Sequence, residues 1–304
     1  CIMAKRMVRF CSKEVKSPPV NSLLCEGYNY LGVYNSEMRN IDSSIVCYKK
    51  AIELARYSSN PAQIVNLYIN TADVYTQKSD YVSSVYYYRR ALSVSDSLHI
   101  TDQFRFPIYF GLGQAYFGIA EYDLSDRYFR QAEKELENRT LSEKFTFCNN
   151  RGNYYYYKGE YNAALPWFPK ARALVIPHGY KFHIALCEGN LGDIFCKLNQ
   201  FDSAHYYLNN SYSYFKSINH YPFLYYLATV NAELALKQGK PSIAEQWILQ
   251  YSNTDGIDPQ FIALRNKLMQ QYCYNVAKYK QAYDYLLRNV QIDDSIRSER
   301  VKGR

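Results

Sequence analysis

The sequence is poor in residues that break helices and in motifs that carry chemistry. Its 304 residues include 13 Gly, 10 Pro and 2 Trp, too little Gly and Pro for a collagenous or turn-rich all-β chain. No apolar run approaches the 18 residues a membrane helix needs. The eight cysteines (Cys1, Cys11, Cys25, Cys47, Cys148, Cys187, Cys196, Cys273) include no C-x₂₋₄-C pair, which excludes the common zinc and redox signatures. A chain of this size needs no disulfide framework, so free and mostly buried thiols are expected. There is no P-loop, H-E-x-x-H or G-x-S-x-G. Gly111-x-Gly113 with Gly118 lacks dinucleotide-fingerprint spacing, and the five His share no ligand spacing on one face. The expectation is a chain without catalytic residues, metal or cofactor.

What is present is apolar, aromatic and periodic. Apolar residues make up 48% and charged residues 21% of the chain, an ordinary globular balance that excludes disorder. The net charge of +8 sits at the ends: residues 1–17 carry +4 and residues 297–304 carry +3, leaving +1 for the body. A nearly neutral body excludes a nucleic-acid groove along it. Tyr is the excess residue, at 34 copies against 15 Phe.

A repeat explains that excess. A small residue recurs at Gly32, Ala72, Gly113, Gly152, Gly192 and Ala232, with Gln270 in the seventh place, at intervals of 38 to 41 residues. Three positions later stand Asn35, Tyr75, Tyr116, Tyr155, Phe195, Ala235 and Cys273. Twelve after the first column a mostly small residue returns, from Ser44 and Ser84 to Ala244 and Ala282. Four further on it is large: Tyr48, Tyr88, Phe129, Phe168, Leu208, Ile248 and Leu286. Spacings of three and four place these residues on one helix face, so each unit reads as helix A, turn, helix B. Small positions let the two helices approach while the large ones fill the space between neighbours. A large side chain at Gly152 or Gly192 should overpack that contact, at about 1–3 kcal/mol. Pro166 and Pro169 fall inside the expected helix B of repeat four and predict a kink or break. Pro18-Pro19, Pro107, Pro177 and Pro222 are placed near starts of A helices, and Asn60-Pro61, Asp258-Pro259 and Pro241 at helix N-termini.

Leu112-Gly113-x-x-Tyr116 and Ala164-x₃-Phe168, with Tyr28, Tyr68 and Tyr109 at the first aromatic position, resemble the tetratricopeptide pattern W-x₂-L-G-x₂-Y…A-x₃-F. The resemblance implies an all-α, right-handed α-solenoid (superhelix) of about seven repeats over residues 18–296, with a period near 40 where about 34 is usual. It also implies that the inner face of the A helices lines a concave groove for a protein or peptide. On that face stand Asn70 and Asp73, Asn150 and Asn153, and Asn190 and Asp193, with Asn149, Gln114 and Glu233 near the same stripe. Phe110, Phe117, Tyr156 and Tyr226 are placed beside them as apolar pockets. Asn both donates and accepts, which suits a peptide backbone; the same amides could equally tie one A helix to the next. The lysines and arginines of a carboxylate clamp are missing from this stripe, whereas an Asn-lined groove with this period is similar to bacterial peptide-pheromone receptors.

The ends add two expectations. Ala4, Val8 and Cys11 repeat the helix-B spacing, so residues 1–17 read as helix B of a truncated preceding repeat and the chain as a fragment. Tyr283-x₂-Leu286…Asp293-Asp294-Ser295-Ile296, followed by the basic stretch 297–304 as a tail or start of a linker helix, resembles the end of tetratricopeptide sensor regions in bacterial regulators. The function expected is the sensing or interaction region of a bacterial signalling or transcription regulator. A cell-envelope scaffold lipoprotein anchored through Cys1, and a pheromone-receptor-like phosphatase regulator, are the alternatives. Free thiols favour a reducing compartment and the sensor resemblance a periplasmic one; the periplasm or cell envelope is favoured over the cytoplasm.

Overall fold

The computed structural model describes residues 2–14, 17–57, 60 and 62–301. All regular structure among them is helical. The helices are α1 (Ile2–Cys11), α2 (Pro18–Glu37), α3 (Ile41–Ala55), α4 (Ala62–Gln77), α5 (Tyr81–Ser97), α6 (Thr101–Gly118), α7 (Tyr122–Glu133) and α8 (Leu141–Tyr157). They continue with α9 (Tyr161–Ala164), α10 (Trp167–Val175), α11 (Lys181–Lys197), α12 (Phe201–Ser217), α13 (Tyr221–Lys237), α14 (Pro241–Gln250), α15 (Pro259–Asn275) and α16 (Tyr279–Val301). Residues 1–138, with 296–304, form one compact unit and residues 139–295 a second. Within each unit sequential helices pack as A–B pairs from α2 with α3 to α13 with α14, and the B helices α3, α5, α10 and α12 also touch the next A helix. This is a tetratricopeptide-type α-solenoid stacking. Cys1, Pro61 and residues 302–304 lie outside the described residues, so the anchor, that proline's helix start and the end of the basic stretch do too.

The columns of the sequence are the A–B contacts. A Cβ added to Gly32 would stand 2.5 Å from the Tyr48 ring, to Gly113 2.9 Å from Phe129, to Gly152 2.6 Å from Phe168, and to Gly192 2.6 Å from Leu208. Each first-column glycine therefore admits the large residue of its own helix B. Ser44 Oγ and Ser125 Oγ donate to the carbonyls of Gly32 and Gly113 at 2.7 and 2.8 Å, so the small column also stitches A to B. On α1, Ala4 and Cys11 are buried and Val8 lies against Gly27 of α2, 2.7 Å from where its Cβ would stand.

The second column has a further role. The carbonyls of Asn35, Tyr75, Tyr116, Tyr155, Phe195, Ala235 and Cys273 each accept the N–H five residues on. The residue before that donor lies in the left-handed region: Arg39, Ser79, Ala120, Gly159, Asn199, Gly239 and Ala277, with φ between 58° and 76°. All seven A helices thus end in the same left-handed cap, which recovers carbonyls the helix end leaves unpaired.

Proline behaves as its chemistry dictates. Helix B of repeat four is split at Leu165-Pro166 into α9 and α10, and Pro169 then falls in the first turn of α10, where a backbone donor is not needed. Pro18 and Pro19 open α2, Pro222 is the second residue of α13, and Pro241 and Pro259 are first residues of their helices. Pro107 departs from expectation: α6 starts at Thr101, which leaves it in the second turn. Repeats six and seven are held by a different device. Arg265 of α15 is buried and donates through Nε to Thr229 Oγ1 at 2.8 Å, through Nη2 to the Tyr225 carbonyl at 2.6 Å, and through Nη1 to the Tyr251 carbonyl. Its guanidinium stacks 3.3 Å from the Tyr225 ring centre, and burial lowers its pKa to about 10. It fixes the loop that follows the short helix α14.

Candidate functional site

In the second unit the A helices α8, α11, α13 and α15 enclose a cavity of about 250 Å³. Asn149, Asn153 and Tyr156 enter it from α8, at spacings of four and three that share one helix face. Asn190 and Leu186 come from α11, Phe223 and Tyr226 from α13, and Phe261 and Leu264 from α15. Asp258 and Gln260 complete the rim, and Tyr157 Oη donates to Gln260 Oε1 at 3.1 Å. Tyr226 stacks on Phe261, with ring centres 4.9 Å apart. The cavity therefore sets a few amides among aromatic walls, the composition that fixes and orients a ligand.

The two roles for Asn coexist. Asn190 Nδ2 donates to Asn149 Oδ1 at 3.2 Å and joins α11 to α8, while both residues still line the cavity. Each keeps hydrogen-bonding capacity beyond that single bond, and the Asn153 side chain makes no hydrogen bond among the described residues. Asn70 repeats the rung in the first unit, donating to Asn29 Oδ1 at 2.9 Å. These partners lie 41 residues apart, one more than the column spacing, because neighbouring A helices meet with a one-residue offset. That offset corrects Asn150: the residue facing Asn190 is Asn149, and Asn150 is half-buried without lining the cavity.

Several other groove residues prove to be structural. Asp193 is buried; its Oδ2 accepts from Tyr156 Oη at 2.8 Å and Tyr226 Oη at 2.7 Å, and its Oδ1 lies 3.9 Å from Lys197 Nζ. Burial raises its carboxyl, opposed by Lys197 and the two phenols. Burial and the adjacent carboxylate push both tyrosines up. Glu233 is paired with Lys197, and Lys237 Nζ lies 3.7 Å away. These groups bind α8, α11 and α13 together instead of pointing a free charge at a ligand. Asp73, in the same register as Asp193, is an exposed residue overall and accepts from Tyr88 Oη; partial desolvation of its carboxyl, opposed by that hydrogen bond, raises it to about 6.

The first unit's candidates are placed differently. Asn70 lines a polar cleft of about 350 Å³ with Asn29, Asn60, Gln63, Asn66 and Glu26. Phe110 stacks on Phe106 at 5.6 Å and meets Phe129 at 6.1 Å, and Phe117 packs on Tyr122 at 6.0 Å. These are contacts within and between α6 and α7. Gln114 is half-buried on the same helix. Among the described residues no three His, Cys, Asp or Glu side chains are grouped to hold a metal, and no helix is long and apolar enough to cross a membrane.

Two tetratricopeptide-repeat family models match the sequence, one at residues 26–57 on α2 and α3 and one at 146–175 on α8 to α10. The chain carries tetratricopeptide repeats. No curated protein sequence matches it. In structure this tetratricopeptide chain is similar to a Rap protein complexed with Competence and Sporulation Factor, at 17% identity and TM-score 0.67, over 97% of this chain and 81% of that one. It is similar to aspartyl phosphate phosphatase F from Bacillus subtilis at 17% identity and TM-score 0.69, over 94% and 74%. The Rap conjugation gene regulator of plasmid pLS20, solved in complex with the Phr* peptide, shows 14% identity and TM-score 0.64, over 92% and 76%. At such identities the likeness is one of fold.

Six lining residues escaped the sequence reading: Tyr157, Leu186, Phe223, Gln260, Phe261 and Leu264. Three of them sit on α15, in the repeat whose columns depart furthest from the pattern, so no register was available to place them on the inner face.

Proposed function

We propose that the second unit's cavity binds a short extended peptide, and that the chain acts by binding, without catalysis, as the sensing or interaction region of a bacterial signalling or transcription regulator. The observation that carries the reading is the pairing of under-used amides with aromatic walls. Asn149, Asn153 and Asn190 offer donors and acceptors to a peptide backbone, and Phe223, Phe261 and Leu264 offer seats for its apolar side chains. The fold likeness to a Rap regulator solved with a peptide supports it. The carboxylates at and beside the cavity are already engaged: Asp258 on the rim accepts from Gln260 N at the start of α15, and Asp193 and Glu233 are held by tyrosines and lysines, which favours recognition over acid–base chemistry.

The test is retention of peptides from a synthetic hexapeptide library by the chain and by its Asn149→Ala/Asn190→Ala double variant. Selective retention that drops about tenfold or more in the variant, with unchanged far-ultraviolet circular dichroism, supports the reading. Retention of no peptide by the folded chain refutes it.

A further inference from the structure

We propose that the peptide taken by the second unit carries a carboxylate, and that this group seats beyond Tyr157 against the ammonium of Lys267. The inference rests on the peptide reading above and adds what the peptide must present. A second cavity, of about 600 Å³, adjoins the first: Tyr156, Tyr157 and Leu264 line both. The two share that wall, so a peptide held at the Asn rung and extended past Tyr157 would enter the second cavity.

Its lining mixes apolar and cationic side chains. Leu236, Leu268 and Tyr272 supply the apolar wall, and Lys197, Lys237 and Lys267 face a single lining carboxylate, Glu233. Two of the three ammoniums already have duties. Lys197 is paired with Glu233 and lies beside buried Asp193. Lys237 donates to the Cys196 carbonyl at 2.8 Å and to Asn199 Oδ1 at 3.3 Å. Lys267 is exposed, and its ammonium makes no ion pair or hydrogen bond among the described residues. Three ammoniums against the carboxylates of Glu233 and Asp193 leave one positive charge uncompensated, which one incoming carboxylate neutralises. The apolar wall beside it lowers the local dielectric and strengthens that pairing relative to open water. A peptide offers this chemistry from its C-terminus or from an Asp or Glu side chain.

The experiment takes the hexapeptides retained by the full chain and remakes each in two neutralised forms, as the C-terminal amide and with Asp and Glu replaced by Asn and Gln. Affinities are read by fluorescence anisotropy for the chain and for Lys267→Gln, whose exposed position leaves the fold intact. The expected result is a loss of about tenfold on neutralising the carboxylate. K267Q should cost the same factor for the acidic peptide and add nothing for its neutralised form. Loss on amidation assigns the C-terminus, and loss on Asp or Glu replacement assigns a side chain. Peptides that bind equally well when neutralised, or a K267Q chain that keeps the preference, overturn the carboxylate proposal and leave the peptide reading standing. A folded chain that retains no peptide overturns both.

Discussion

Asn70-Thr-Ala-Asp73 on α4 and Asn190-Leu-Gly-Asp193 on α11 place the same residues in the same register of two repeats, one in each unit. Both asparagines donate to the asparagine 41 residues earlier. The surroundings then diverge. Asp73 is exposed and takes one phenol, Tyr88, from helix B of its own repeat. Asp193 is buried and takes two, Tyr156 and Tyr226, from the A helices on either side. Beside the first rung stand Glu26, Gln63 and Asn66; beside the second stand Phe223, Phe261 and Leu264. The amide rung is thus a general tie between neighbouring A helices. Capacity for an apolar side chain comes from the residues next to it, and the second rung has Phe223, Tyr226 and Phe261 around it where the first has Tyr30.

The sharpest way to break the comparison is to remove the phenols. Tyr156→Phe with Tyr226→Phe keeps ring volume but strips a buried carboxylate of both donors, at an expected cost of about 3 kcal/mol or more in urea unfolding. Tyr88→Phe, whose carboxylate partner keeps water, should cost about 1 kcal/mol. Equal losses would show that burial does not separate the two aspartates.

A titration sharpens the same contrast. A carboxyl raised in the folded chain holds its proton where the unfolded chain has lost it, so stability falls as pH rises from the ordinary value of 3.8 towards the folded one. Asp193→Asn removes that fall: relative to the variant, the parent chain should lose up to about 1.4 kcal/mol per pH unit across the window. Asp73→Asn should give a smaller total change confined below about pH 6, because solvent at the exposed site shortens the window over which the carboxyl is raised. A parent-to-D193N gap that stays constant with pH would mean that Asp193 titrates normally.

The rungs themselves can be cut separately. Asn29→Ala and Asn149→Ala each remove one inter-helix amide bond and should cost about 1 kcal/mol of stability. Only Asn149→Ala should also weaken retention of hexapeptides by the chain. A matching binding loss in Asn29→Ala would place a working site in the polar cleft of the first unit.

These contrasts mark where sequence reasoning stopped. Gly32 against Tyr48 and Gly152 against Phe168 were legible because seven copies of a weak pattern reinforce one another, and both contacts lie inside one repeat. The burial of Asp193 was not legible, since it depends on Tyr156 and Tyr226 in two other repeats, and its own column says nothing of them. Asn150 is placed on the groove face and Asn149 only near it because aligned columns hide the one-residue offset between stacked helices. Phe261 was missed because α15 keeps too little of the pattern to set a register. The left-handed caps were invisible because Arg39, Ser79 and Ala120 occupy a position usually recognised by glycine.

That last feature gives the smallest effect and the cleanest one. The first unit closes its A helices with Arg39, Ser79 and Ala120, whereas the second uses Gly159 and Gly239 at two of its four caps. A Cβ in the left-handed region costs about 1–2 kcal/mol, offset in part by the extra freedom glycine gives the unfolded chain. Ala120 is exposed with φ 63°, so Ala120→Gly removes strain and little else. It should raise stability by about 0.5–1 kcal/mol. Gly159 has φ 76° and nothing within 4 Å of an added Cβ, so Gly159→Ala isolates the backbone term and should lower stability by about the same amount. Opposite and similar shifts in urea midpoint at constant slope would establish that both units use one cap geometry and differ only in whether the residue suits it. A neutral Ala120→Gly beside a costly Gly159→Ala would instead mean that the Ala120 methyl makes contacts worth as much as the strain it imposes.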